Sequence, residues 1–427
     1  MNYEEAIKYT ETRMWKNGFN GFDRMKAVLE YLGDPQDDLK FIHVAGSNGK
    51  GSTCAMITSV LRFAGYKTGL FISPHLIKYN ERISVNGVDI SDEDFALGVT
   101  LVKEACEATG CELTIFERLT ILGFWYYARE GADFVVLEVG LGGRCDSTNV
   151  IEAPEVSVIA HLALEHTEIL GDTLEKIAIE KAEIIKEGCP VVLMDQEEEA
   201  MKAVREKAAA MHAPLVVTDP KEERLVEARL GLQTIDYRNR KALKLGLFGE
   251  YQYRNSALAL DVIDVLQKKG YAISEEAVRE GMEKVFWPGR FQLLRKEPVI
   301  LLDGAHNPDG AQVLADSLRS YFPGKKFNFM MGVMADKDFD EMLQIMAPLA
   351  EHFTCVSVED DRALDSASLA ELIQSRCGVP ARNAGSVEQG LELVLADQQP
   401  DQILVIFGSL YQAGDVLRYF QEKGLMA

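Results

Sequence analysis

Residues 41–53 read Phe-Ile-His-Val-Ala-Gly-Ser-Asn-Gly-Lys-Gly-Ser-Thr. An apolar strand, Phe41–Val44, runs into a glycine-rich loop, and an amphipathic helix, Ser52–Phe63, follows. In such a unit the glycines let backbone N–H groups turn inward around phosphate oxygens. The helix N-terminus adds its dipole, and Lys50 adds a full charge. Ser52 and Thr53 are placed to reach a metal or a phosphate. The spacing departs from the standard phosphate loop: two residues separate Gly46 from Gly49, and Gly51 follows Lys50 where that pattern has Ser or Thr. The plain alternative is a glycine-rich turn with a solvated lysine.

Outward from this unit, short apolar runs alternate with helical patterns along most of the chain. Strands are expected at Thr68–Ile72, Phe134–Val139, Val156–Ile159 and Val191–Met194, then at Val299–Leu302, Phe327–Met331, Phe353–Val358 and Gln402–Phe407. Helices are expected at Phe116–Arg129, Thr173–Lys186, Asn255–Lys269 and Ala311–Ser320. The alternation implies an α/β fold with mainly parallel sheets. Residues Glu222–Leu247 alternate apolar and polar instead, which predicts an antiparallel insertion on the first domain. Trp287-Pro-Gly-Arg-Phe291 is punctuation, after which the βα rhythm restarts. The expected division is a phosphate-loop domain of mainly parallel sheet at 1–295 and a smaller Rossmann-like α/β domain at 296–427.

Composition narrows the class. Of the 427 residues, 47% are apolar and 26% charged, as in globular proteins, and the length calls for more than one core. The net charge of −22 disfavours a nucleic-acid partner. An anionic small substrate needs a locally positive pocket or bound Mg²⁺. No apolar run is long enough for a membrane span, and the acidic N-terminus does not read as a secretory signal. Seven scattered cysteines without a C-x-x-C pair fit free thiols in the cytoplasm.

Metal ligands are sought at strand ends. Glu138 closes the run Phe134–Glu138 ahead of Val139-Gly-Leu-Gly-Gly-Arg144-Cys-Asp146, and an acid there can hold Mg²⁺ through oxygen. Ser73, in Ser73-Pro-His-Leu76, is either part of a proline-broken turn or a hydroxyl in the metal shell. Lys181 falls in the apolar stripe of Leu174, Ile177, Ala178, Ile184 and Ile185. Its spacing fits a packed stem with an outward amine, or a neutral amine that adds carbon dioxide to give a carbamate. His166 precedes that helix, and a site role there competes with a structural one. In the second domain Asp303-Gly-Ala-His306-Asn307-Pro sits at a strand-to-helix turn. His306 could bind a carboxylate or take a proton from an amine, while Asn307 and Pro308 suit a helix start. Gly332–Asp338 and Gly408–Tyr411 lie at comparable strand ends.

Taken together, these segments resemble the folylpolyglutamate synthase/dihydrofolate synthase family of the Mur ligase superfamily. The likeness runs from Gly33-Asp-Pro35 to Gly408-Ser-Leu-Tyr411 and includes Glu81-Arg-Ile83, Phe116-Glu117, Gly142–Asn149 and Gly289-Arg-Phe291. The resemblance implies an ATP-dependent ligase that adds L-glutamate to a dihydropteroate or (tetrahydro)folate carboxylate through an acyl phosphate. By it, Gly49, Lys50, Gly51 and Ser52 hold the ATP phosphates, and Asn255, Arg290 and Asp303 complete the nucleotide site. Ser73, Glu138 and His166 become Mg²⁺ ligands, with Lys181 serving as a carbamate, for two ions in all. Phe116, Glu117, Arg144 and Asp146 contact the pterin-bearing substrate, and His306 lies near the incoming glutamate. Lys50, Lys181 and His306 carry the catalytic roles, in a cytoplasmic monomer.

The sequence also departs from the family. The family usually has Asn and then Gly-Leu-Asp-His before the Lys181 helix, where this chain has His161 and Ala163-Leu-Glu165-His166. Glu183 replaces the usual glycine after Lys-Ala. Both changes are expected to crowd the second metal site, Glu165 by one added methylene. Two alternatives follow: a ligase of the same scaffold with another carboxylate substrate, and a nucleotide-binding paralogue with impaired catalysis.

Overall fold

The computed structural model describes residues 1–12, 21–335 and 339–426. Asp336, Lys337 and Asp338 of the Gly332–Asp338 segment therefore lie outside the described residues. Packing groups the chain into two units, residues 1–223 with 254–285, and residues 224–253 with 286–427.

The first unit is built on eight strands: β1 (Phe41–Ala45), β2 (Thr68–Phe71), β3 (Ile83–Val85), β4 (Val88–Asp89), β5 (Phe134–Glu138), β6 (Val156–Ile159), β7 (Val191–Leu193) and β8 (Leu215–Val217). Their order is β4-β3-β2-β5-β1-β6-β7-β8. From β2 to β8 every pairing is parallel, and β3 and β4 add an antiparallel margin. All five residues of β1 and of β5 are buried, which is why both read as apolar runs, interrupted by His43 and ended by Glu138, rather than as alternating ones. β1 lies between β5 and β6, so the loop leaving it opens where the strand order reverses direction, the usual ligand crevice of such sheets. Val44 is in register with Glu138, which brings the acid to the same sheet edge as the loop.

The helix after β1 runs Lys50–Phe63, and every residue from Ser52 to Leu61 is buried. Its far side packs on the helix Glu275–Lys284, where Ser59 Oγ donates to Gly281 O at 2.7 Å.

The second unit holds a three-stranded sheet, β9 (Glu223–Arg229), β10 (Leu232–Tyr237) and β11 (Arg240–Leu245). It also holds a six-stranded sheet of β12 (Gln292–Lys296), β13 (Val299–Leu302), β14 (Phe327–Met331), β15 (Ala350–Ser357), β16 (Ala381–Ser386) and β17 (Leu404–Phe407), ordered β12-β13-β17-β14-β15-β16. β13 to β16 are parallel, and β12 pairs antiparallel with β13.

Two sequence expectations differ here. A boundary at 295/296 would cut β12, whose pairing with β13 draws residues 292–296 into the second unit. The insertion is antiparallel between β10 and β11, as its alternation suggested, but it groups with the second unit. Gln233 of β10 donates to Leu247 O and Gly249 O, Gly249 N donates to Tyr321 Oη, and Glu250 N to Ser317 Oγ. The helix expected over 173–186 ends at Ala182, with Ile184 and Ile185 buried beyond it. Among the described residues no helix is long and apolar enough to cross a membrane, and all seven cysteines are unpaired.

Candidate active site

The loop between β1 and its helix is shaped by Gly49, which caps the helix with φ 84°, a left-handed conformation that favours glycine. A Cβ at this position would lie 2.5 Å from Asn255 Oδ1, so Asn255, buried on the helix Glu250–Lys268, closes against the loop at the point where only hydrogen fits. No cap side chain engages the first turn of the helix. Ser47 N and Asn48 N donate to His161 O, and Ser47 Oγ donates to Ala163 O, fixing the loop to the strand end after β6. Lys50 Nζ curls back over the loop to Gly46 O (2.9 Å) and Ser47 O (3.0 Å). Thr53 Oγ1 is buried without a hydrogen-bond partner among the described residues. An ammonium folded over the loop and a buried, unpartnered hydroxyl in the first turn of the helix are features that suit an anion.

Lys181 is buried. Its ammonium donates to Gly46 O (2.9 Å) and to Glu165 Oε1 (3.0 Å). Burial and the nearby Lys50 bring its pKa down to about 8, against the pull of Glu165. Burial pushes the Glu165 carboxyl up, but Lys50 and Lys181 outweigh it and hold the group at about 2. The methylene that this chain adds at 165 is thus used to reach a lysine. Glu183, expected to crowd the same place, is engaged elsewhere: its carboxylate meets Lys207 Nζ at 3.0 Å and Arg144 at 3.9 Å.

Glu138 Oε2 accepts from Ser73 N at 3.0 Å, so the sheet joins these two sequence candidates directly. His166 stands exposed, with φ 48°, at the start of the short helix Thr167–Leu170. Among the described residues no three His, Cys, Asp or Glu side chains gather into a set that could hold a metal alone. That is compatible with Mg²⁺, which keeps waters and takes one or two carboxylates together with substrate phosphates.

The loop after β5 carries Arg144 and Asp146. Asp146 is buried, and its carboxylate accepts Gly140 N (3.0 Å), Leu141 N (2.8 Å), Thr148 N (3.0 Å) and Thr148 Oγ1 (2.5 Å). Burial raises its pKa while those bonds lower it. Asp146 therefore folds the loop on itself rather than reaching outward. Arg144 is half-exposed and pairs with Glu180 at 3.3 Å. Gly143 lies against the Lys181 helix so closely that a Cβ would meet Glu180 O at 2.6 Å. Phe116 packs over Gly140 and against Phe71, with ring centroids 5.8 Å apart. Glu117 is nearly buried; it closes a capping box with Thr114 and accepts from Arg24 at 3.2 Å. Its carboxylate thus has a structural occupation, for which Thr114-x-x-Glu117 is the sequence signature.

In the second unit Asp303 is buried beneath its turn, accepting Phe291 N (2.8 Å), Tyr251 Oη (2.9 Å) and Ala305 N (2.8 Å). Burial raises its pKa; the Arg290 guanidinium and these donors oppose the rise. His306 Nδ1 lies 2.8 Å from Gly304 O. A carbonyl only accepts, so the proton is on Nδ1 and Nε2 is the basic nitrogen of the neutral ring. Asn307 caps the helix Pro308–Tyr321 by accepting Gly310 N, with Pro308 in its first turn.

Comparison with known proteins adds the following. The Mur ligase middle domain matches residues 44–263, and the Mur ligase glutamate ligase domain matches residues 289–410. The dihydrofolate synthase/folylpolyglutamate synthase of Bacillus subtilis (strain 168) is 35% identical over 428 residues, covering 97% of this chain and 98% of that protein. A Mycobacterium tuberculosis folylpolyglutamate synthase solved with ADP and AMPPCP superposes with a TM-score of 0.88 at 28% identity, covering 98% of each chain. A structure described as an FPGS–AMPPCP–folate complex gives 0.85 at 32% identity, covering 98% of this chain and 100% of that one.

Proposed function

The chain belongs to the folylpolyglutamate synthase/dihydrofolate synthase family of Mur ligases, and from that premise we propose that it is an ATP-dependent amide ligase joining L-glutamate to a dihydropteroate or (tetrahydro)folate carboxylate. The observation that carries the reading is the Gly49–Lys50 arch beside the Glu138–Ser73 pair at one sheet edge.

In the first step the acceptor carboxylate attacks the γ-phosphorus of ATP, ADP leaves, and an acyl phosphate forms. Gly49, Lys50, Gly51 and Ser52 hold the phosphates through loop N–H groups and the ammonium, with Asn255 setting the loop's shape. Lys50 offsets negative charge on the transferring group. Arg290 and Asp303 form the second unit's nucleotide-binding turn. Phe116 offers an apolar face to the pterin and Arg144 a cation to the carboxylate, while Glu117 and Asp146 hold their helix and loop in shape. In the second step the glutamate amine attacks the acyl carbon, phosphate leaves, and the amine gives up a proton. We assign that proton to His306, whose Nε2 is the basic nitrogen.

Glu138 is a buried oxygen donor at the strand edge and fits a hard cation. Ser73, Glu138 and His166 would hold Mg²⁺, which when bound supplies charge neutralisation at the phosphoryl oxygens. Lys181 would enter the metal shell only as a carbamate, and that anion beside Glu165 requires a cation between them. Unpaired thiols throughout support a cytoplasmic enzyme, and we take it to act as a monomer.

The test is mass spectrometry of products formed from ATP, Mg²⁺, glutamate and a panel of pteroate and folate acceptors. A gain of one glutamyl residue on at least one acceptor is expected. No gain on any of them overturns the reading.

A further inference from the structure

A histidine in the middle of the central strand is an odd choice. Every other residue of β1 is aliphatic or aromatic, and all five are buried. His43 Nε2 lies 2.8 Å from Thr148 Oγ1, and His43 Nδ1 has no hydrogen-bond partner among the described residues. Leaving a buried ring nitrogen unpaired is unfavourable, and the bond at the other nitrogen offsets part of that cost.

The proton positions follow from the partners. Three backbone N–H groups and the Thr148 hydroxyl converge on Asp146, which is therefore the acceptor. Thr148 has one proton, and Asp146 takes it. The Thr148 oxygen can then only accept from the ring, so His43 is neutral with its proton on Nε2. Burial, with Lys186 nearby, holds its pKa at about 3, which keeps the ring neutral.

We infer that His43 is a positioning residue for the acceptor side of the reaction: through Thr148 and Asp146 it ties the loop 140–149, which carries Arg144, to the strand that carries the phosphate loop. The chain of bonds runs from β1 to Thr148, to Asp146, and on to the Gly140 and Leu141 amides just beyond Glu138. The loop's other attachments go to the Lys181 helix region, by Arg144 N to Glu180 O and Asn149 Nδ2 to Glu183 O. His43 thus supplies a side-chain link from β1 to the acceptor loop, beside the route through the Lys181 helix, where the Lys181 ammonium reaches Gly46 O. The inference rests on the function proposed above.

Three variants of the full chain test it. Thr148→Val removes the relay hydroxyl without touching β1 and keeps the side chain's shape. His43→Leu removes the donor. His43→Gln retains an N–H that can reach Thr148. For T148V and H43L we expect KM for dihydropteroate to rise about ten- to a hundredfold, the scale of a small misplacement near reacting groups, with KM for ATP unchanged. H43Q should recover most of the loss. Hydrogen exchange at the Gly140 and Leu141 amides should speed up about tenfold in T148V and H43L through local opening, and ¹⁵N spectra of the unaltered protein should show His43 protonated at Nε2. The inference is overturned by a folded T148V with unchanged acceptor KM and unchanged exchange, by equal rises in both KM values, or by an Nδ1–H ring. If the unaltered enzyme glutamylates no acceptor, the proposed function fails, and exchange and tautomer still decide whether the relay exists.

Discussion

Lys181 Nζ and Glu165 Oε1 are 3.0 Å apart, with 2% of the lysine side chain and 15% of the glutamate exposed. A charge that far from water is stable only with a partner, and removing one member leaves the other uncompensated. Glu165→Gln should therefore destabilise the first unit by about 3–5 kcal/mol, measured by urea unfolding. A loss below 1 kcal/mol would mean that Lys181 is neutral or carbamylated in the resting protein.

The same pair sets a pH window. Glu165 titrates near 2, below its ordinary 4.5, so its contribution is complete above about pH 4.5 and is lost as pH falls through about 2. Lys181 titrates near 8, below its ordinary 10.5; the fold disfavours its protonated form, and stability should rise between about pH 8 and 10.5. Unfolding midpoints of the unaltered chain minus those of E165Q, taken across pH 2–5, should show the acid limb shrinking. Parallel curves would exclude Glu165 as its source.

Gly49 combines a left-handed backbone with the close approach of Asn255. Gly49→Ala should cost about 1–2 kcal/mol in backbone conformation alone, plus the collision with Asn255 Oδ1. Adding Asn255→Ala should remove the collision and leave the backbone cost. Calorimetric ATP binding should weaken in G49A and recover only in part in the double variant. Full recovery would mean that the backbone conformation at 49 contributes nothing.

Asp303→Asn keeps the shape of a buried acceptor but turns an amide N–H₂ toward donors. With Phe291 N, Tyr251 Oη and Ala305 N all donating to the carboxylate, at least one bond is lost and a donor faces a donor. A loss of about 2 kcal/mol or more is expected, visible as a lower unfolding midpoint of the second unit. An unchanged midpoint would show that the turn reorganises freely.

Much of the fold was legible because buried parallel strands are continuous apolar runs: Val156–Ile159, Val299–Leu302 and Phe327–Met331 match their expected bounds. Phe353–Val358 was expected late, since the strand begins at Ala350 with the polar pair Glu351 and His352, which period-based reading leaves out. The strand–glycine loop–helix unit was legible from its apolar strand and the helix pattern after it, and the burial of Lys181 from its place in an apolar stripe. The task of His43 and the ion pair of Glu117 with Arg24 were not, because those partners are set by tertiary approach, whereas Asp146 and the Thr114–Glu117 box bind near neighbours in sequence. Thr148 reaches His43 across 105 positions, and Arg24 reaches Glu117 across 93. The insertion's allegiance was hidden for the same reason, since the contacts of Gly249 and Glu250 with Tyr321 and Ser317 lie about seventy residues away.

The helix behind the phosphate loop is covered on all sides from Ser52 to Leu61. A rod enclosed in this way cannot recoil when a polyanion arrives or departs, so the work of aligning its leading amides was done when the chain folded rather than at each turnover. The corollary concerns heredity as much as rate. Along those ten positions there is no water-facing direction into which a bulkier side chain could escape, so drift there should be confined to swaps of nearly equal volume.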